Sequence, residues 1–139
     1  MLVEDDATVL GSLKEALQFA GYGVIPLENG EQAIETARRC RIELLLLDLN
    51  LPQKSGWEIF ERFTREHPLI PVAIITARPN QLFTAINAGA AALLEKPINI
   101  GELLRTVRTL LAQSPEQHLA RLAGHSGDFD YRPRQGSTG

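Results

Sequence analysis

The chain has 139 residues, 44% hydrophobic and 22% charged, which suits one globular domain with a short appendage. Lys and Arg total 14 against 17 Asp and Glu, a net charge of −3, so no basic excess exists to grip a phosphate backbone and direct nucleic-acid binding is not expected. Apolar runs such as Leu44–Leu47 are far too short to span a bilayer, and no charged-then-apolar secretory leader is visible. The one cysteine, Cys40, makes neither an internal disulfide nor a thiolate cage, so the expected setting is the reducing cytoplasm.

Met1–Val3 is a short apolar start that runs into Glu4-Asp5-Asp6. It predicts a first strand shorter than the usual five or so residues. Val9, Leu10, Leu13, Leu17 and Ala20 then recur at helical spacing until Gly21 and Gly23. Tyr22–Leu27 reads as a second strand, with Pro26 marking a sheet edge. Asn29, followed three residues later by Gln32, predicts a helix start, and Ala33, Ile34 and Ala37 give that helix an apolar face. Glu43–Asp48 is continuously apolar between its two acids, the pattern of a strand covered on both faces in a parallel sheet.

Ser55-Gly56-Trp57-Glu58 repeats the cap pattern before Ile59, Phe60 and Phe63. Ile70–Thr76 is a further strand and Gln81–Ala88 a short helix. Ala91–Leu94 is a weak strand ending at Glu95-Lys96-Pro97. Asn99 caps a last long helix with Leu103, Leu104, Val107, Leu110 and Leu111 on one stripe. Five strands alternating with five helices imply a parallel sheet with helices on both faces. This body covers residues 1–113. Ser114 and Pro115 predict one more short helix over about 115–123, and the polar remainder to 139 is expected to be a disordered tail or linker stub.

Open parallel sheets build their sites at the carboxyl ends of the strands. Those ends carry Glu4-Asp5-Asp6, Asp48, Thr76 and Lys96. Clustered carboxylates repel one another unless a cation neutralises them, and one lysine is too little for three or four acids. An incomplete, all-oxygen cage suits Mg²⁺. A metal, a lysine and a hydroxyl around Asp48 are the groups that would stabilise a phosphoryl group in transfer, and an Asp carboxylate can be the nucleophile. Each residue also has a plainer role. Asp6 can cap the first helix, Thr76 can close its strand, Lys96 can be a solvated strand-end lysine, and Gly56 serves close packing. Trp57 reads as half-exposed packing, and His67, His118 and His125 as surface residues.

The sequence resembles the receiver domain (CheY-like) of bacterial two-component response regulators. The resemblance rests on V-E-D-D at 3–6, L-L-L-L-D-L-N-L-P-x-x-x-G from Leu44 to Gly56, I-I-T-A at 74–77 and E-K-P at 95–97, in that order over residues 1–113. It implies a three-layer, flavodoxin-like, doubly wound five-stranded parallel sheet of order 2-1-3-4-5. It implies Asp48 as phosphoacceptor, Asp5 as a direct Mg²⁺ carboxylate and Glu4 as a water-mediated one. Asn50 would give its backbone carbonyl to the metal, and Asp6 remains open between metal and cap. Thr76 would hydrogen-bond the phosphoryl group and Lys96 pair with it. Pro97 matches a proline usually preceded by a cis peptide.

The implied function is a switch that accepts a phosphoryl group from a sensor histidine kinase or a histidine phosphotransfer protein. It would promote its own phosphotransfer and dephosphorylation rather than turn over a substrate. Nothing resembling a DNA-binding or catalytic domain follows residue 113, so the output would come through another protein or through a domain lost from this chain, and homodimerisation near Arg105 and Arg108 is open. Membrane association is not expected. One departure stands out: Leu93 occupies the place of an aromatic three residues before the lysine. The alternative is therefore a phosphorylation-independent pseudo-receiver that binds protein. A haloacid-dehalogenase-type phosphatase would want an acid at position 50, where Asn stands. A flavodoxin-type nucleotide site lacks its Gly-rich phosphate loop.

Overall fold

The computed structural model describes residues 1–51, 55–124 and 128–134. In chain order the elements are β1 (Leu2–Val3), α1 (Ala7–Phe19), β2 (Pro26–Leu27), α2 (Gly30–Arg39), β3 (Leu45–Asp48), α3 (Gly56–Glu66), β4 (Val72–Thr76), α4 (Leu82–Ala88), β5 (Ala92–Glu95), α5 (Ile100–Leu111), α6 (Pro115–Leu122) and β6 (Asp130–Arg132). The strands form one sheet of order β2-β1-β3-β4-β5-β6, all neighbours parallel. This is the flavodoxin-like, CheY-like arrangement expected, extended by one strand. Among the described residues no helix is long and apolar enough to cross a membrane.

The unbroken leucine run explains the layering. Successive side chains of a strand point to opposite faces, so a strand in the middle layer must be apolar at every position. Leu45 and Leu47 pack with α2, α3 and α4 through Ala33, Ile34, Ile59, Phe63 and Ala85. Leu44 and Leu46 pack on the other face with Leu13 and Leu17 of α1 and Leu103, Val107 and Leu110 of α5. β2 lies at the edge, as Pro26 predicted. The cap residues Asn29, Ser55, Asn99 and Ser114 each accept a backbone N–H of their own helix, and Ser114 with Gln117 completes a reciprocal capping box. Cys40 is exposed at the end of α2.

Three expectations need correction. β2 covers only Pro26–Leu27, not Tyr22–Leu27, because β1 offers it just two partners, Leu2 and Val3. His118 is a buried residue beside the equally buried Arg121 of α6, not a surface one; His67 is half-buried against the Phe63 ring. The tail expected to be disordered carries β6, which pairs with β5 from Ala92↔Asp130 to Leu94↔Arg132. His125 and residues 135–139 lie outside the described residues.

Candidate functional site

Parallel register brings the site together. Val3 pairs with Leu47, Asp48 with Ile75, and Thr76 with Glu95. The residues at or just past these strand ends, Glu4, Asp48, Thr76 and Lys96, therefore meet at one edge. Glu4, Asp48 and Thr76 are buried, although all three are polar. Such groups must find partners. Lys96 Nζ donates to both Glu4 oxygens, at 3.1 and 3.0 Å, and to Asp48 Oδ2 at 3.2 Å. Asp48 Oδ1 accepts from the Asn50 N–H at 3.0 Å. Thr76 Oγ1 accepts from the Arg78 N–H at 2.9 Å, and the Lys96 N–H donates to the Thr76 carbonyl at 2.8 Å. The Lys96–Pro97 peptide is cis.

The electrostatics follow from burial and crowding. Burial, reinforced by the neighbouring Asp48, pushes the Glu4 carboxyl up to about 7 despite the bond from Lys96. Burial works against the Lys96 charge, but its bonds to Glu4 and the field of Asp48 outweigh it and hold the ammonium above its ordinary range. One ammonium thus bridges two acids, and exposed Asp5 adds a third.

Glu4, Asp5 and Asp48 each offer a carboxylate oxygen, all within 4.8 Å of one another. An all-oxygen donor set of this size, short of a full cage, fits a hard cation such as Mg²⁺, which keeps several waters. Asp6 is outside this cluster. Its carboxylate accepts from the Thr8 and Val9 N–H groups at 2.9 and 3.2 Å and caps α1, the plainer of its two expected roles. Gly56 also takes its plainer role: an added Cβ would lie 2.4 Å from the Leu49 Cα, so the start of α3 sits against the chain that leaves Asp48. Trp57 is half-buried, edge-on to Phe60, with its indole N–H on Gln81.

The sequence reading missed two things. The first is that Lys96 closes directly on Glu4 as well as Asp48. The second is the set of contacts from residues 128–134 onto β5 and α5. Phe129-Asp130-Tyr131-Arg132 does alternate apolar and polar residues, a strand signal too short to stand out in a polar tail.

Buried acids, a threonine and a lysine thus gather at the carboxyl edge of a parallel sheet, and comparison with known proteins gives the family. Residues 1–108 match the response regulator receiver domain family, and the chain belongs to it. The transcriptional regulatory protein CpxR of Escherichia coli K12 is 36% identical over 116 residues, 82% of this chain and 49% of CpxR. The response regulator MprA of Mycobacterium leprae is 33% identical over 136 residues, 96% of this chain and 60% of MprA. The chain thus spans about half the length of these relatives. The crystal structure of a CheY-like response regulator receiver domain protein from Methanospirillum hungatei JF-1 superposes with a TM-score of 0.76 at 28% identity, covering 85% of this chain and 94% of that one.

Proposed function

We propose that this receiver domain accepts a phosphoryl group on Asp48 from a phosphohistidine of a sensor histidine kinase or histidine phosphotransfer protein. The observation that carries this is the convergence of Asp48, Lys96, Thr76 and the Glu4–Asp5 acids at one sheet edge. The Asp48 carboxylate is held from both sides, by the Asn50 N–H and by Lys96 Nζ. Held in this way it is oriented for in-line attack, which is most of what a phosphoryl-transfer site must supply. An oxygen–phosphorus bond forms as the phosphorus–nitrogen bond breaks, and the electron pair leaves with the imidazole. Lys96 already carries its charge beside Asp48 and can turn to a phosphoryl oxygen. Thr76 accepts from the Arg78 N–H and keeps its hydroxyl proton to donate to another.

Glu4 (through water), Asp5, Asp48 and the Asn50 backbone carbonyl would hold Mg²⁺. The ion would supply the positive charge that the three acids and the phosphoryl oxygens need. Hydrolysis of the acyl phosphate resets the switch, so the domain promotes its own phosphorylation and dephosphorylation without being an enzyme with an external product. Cytoplasmic residence follows from a cytoplasmic phosphodonor. The output is a change in a protein-binding surface, read by a partner protein or by a second copy. The net charge of −3 gives this segment no nucleic-acid footprint of its own.

The test is incubation with a small-molecule phosphodonor and Mg²⁺, followed by intact-mass measurement. One added phosphoryl group is expected, absent with chelator and absent in Asp48→Asn. No added phosphoryl group in the wild type supports the pseudo-receiver instead.

A further inference from the structure

The β5 edge is not bare: the chain's own residues 128–134 lie along it. Their anchors are spread over three elements. The Asp130 N–H donates to the Ala91 carbonyl at 3.2 Å, and the Asp130 carboxylate accepts from the buried Thr106 hydroxyl of α5 at 2.9 Å. The Arg132 guanidinium pairs with that same carboxylate at 2.9 Å. The Tyr131 hydroxyl donates to Glu95 Oε1 at 2.9 Å, and the Arg134 N–H reaches the same oxygen at 3.2 Å. The Arg134 guanidinium reaches the Ala77 carbonyl at 3.4 Å. Upstream, Asp128 pairs with buried Arg121 of α6 at 3.0 Å, while Leu122 lies where a Cβ on Gly89, at the end of α4, would meet it at 2.8 Å. Phe129 is the one apolar insertion, half-buried against the core.

Two of these anchor points adjoin the site. Glu95 is the residue before Lys96, and Ala77 the residue after Thr76. The Lys96 N–H to Thr76 carbonyl bond, 2.8 Å, ties the two strand ends together. A segment tied to the Glu95 carboxylate and the Ala77 carbonyl is therefore held one residue away from Lys96 and from Thr76. The segment is also built to leave. It is a three-residue edge strand with one half-buried apolar side chain, and Tyr131 is 39% exposed. Such units sit at the low-stability end of a fold.

We propose that the β5 edge, rimmed by Thr106, Glu95 and the Ala77 carbonyl, is a docking site for an extended acidic–aromatic–basic segment. Residues 128–134 fill it in cis, and phosphorylation at Asp48 empties it. The proposal rests on the phosphoacceptor reading. When Lys96 and Thr76 move toward a phosphoryl group, Glu95 and the Ala77 carbonyl lose the placement that Tyr131 and Arg134 bind. The equilibrium shifts toward an open edge by the difference in contact free energy between the two states.

The experiment uses the full chain with Mg²⁺ and beryllofluoride, a phosphoryl analogue that binds a carboxylate. Fluorine NMR reads occupation of Asp48, and amide hydrogen exchange reads Asp130–Arg132, with Leu46 as internal reference. The double variant Asp130→Asn, Tyr131→Phe, which removes strap anchors but no residue of the Asp48 cluster, calibrates the exchange rate of a released strand. The expected result is a bound-fluoride resonance together with at least tenfold faster exchange at Asp130–Arg132 and no change at Leu46. A bound resonance with unchanged or slower exchange overturns the strap proposal and leaves the phosphoacceptor reading standing. No bound resonance overturns the phosphoacceptor reading and the strap proposal with it.

Discussion

The ammonium of Lys96 lies 3.0 Å from Glu4 Oε2 and 3.2 Å from Asp48 Oδ2, so a single cation from the end of β5 joins acids from the ends of β1 and β3. The two carboxylates are only 1% exposed and the ammonium 21%. This places three acids, with Asp5, around one positive charge. The arrangement crowds like charges that one ammonium does not fully balance.

Removing one acid should therefore stabilise the metal-free protein. Asp48→Asn keeps an oxygen for the Asn50 N–H and leaves Lys96 to Glu4. A gain of about 0.5–2 kcal/mol is expected for relieving a strained functional site. Urea unfolding in chelator measures it; equal or lower stability of the variant contradicts it.

Mg²⁺ should stabilise the wild type in proportion to its occupancy. A ligand that binds only the folded chain adds about 2.7 kcal/mol at a hundredfold excess over its Kd. Thermal unfolding with and without the ion measures the shift. Asp5→Asn should remove most of it, while Asp6→Asn should keep it because Asp6 caps α1 and lies outside the acidic cluster. An equal loss in both variants contradicts the division of roles.

Gly56→Ala should damage the site from a distance. Its methyl would meet the Leu49 backbone, Cα at 2.4 Å and carbonyl oxygen at 2.8 Å, and backbone does not yield as a side chain does. A cost of about 1–3 kcal/mol is expected, with weaker Mg²⁺ binding, because the displaced chain leads from Asp48 to the Asn50 carbonyl. Calorimetric titration of the variant decides it; unchanged affinity would show that the chain absorbs the methyl elsewhere.

Acid should loosen α6. Burial, and then the adjacent Arg121 charge, hold the His118 imidazole below its ordinary value of 6.5, against a smaller opposing pull from Asp128. The unfolded chain then binds more protons below that value. The contribution of neutral His118 is complete above pH 6.5 and is lost as pH falls through the lower folded value. Amide exchange in α6 should rise as pH falls below 6.5, beyond the intrinsic pH effect. His118→Gln should flatten that rise; a variant with the same slope contradicts it.

Much of this was legible because parallel sheets translate sequence directly. Four strands end in or run directly into a polar residue, and parallel register brings Glu4, Asp48, Thr76 and Lys96 together. The double-sided burial of Leu44–Leu47 and the caps at Asn29, Ser55 and Asn99 were equally local signals. What escaped was set by tertiary partners. β2 shrank because β1 is short, and His118 is buried because α6 packs back on the body. β6 is a strand because the β5 edge and Thr106 are there to receive Asp130. Polar composition alone says nothing of such an edge.

The most direct measurement of the central claim is chemical location of the phosphoryl group. Borohydride reduces an aspartyl phosphate to homoserine, which peptide mass spectrometry reads at single-residue resolution. After phosphodonor and Mg²⁺, homoserine is predicted at position 48 and nowhere else. Homoserine at position 5 or 6, or a fully aspartate-bearing peptide from a protein that still binds Mg²⁺, would contradict Asp48 as the phosphoacceptor.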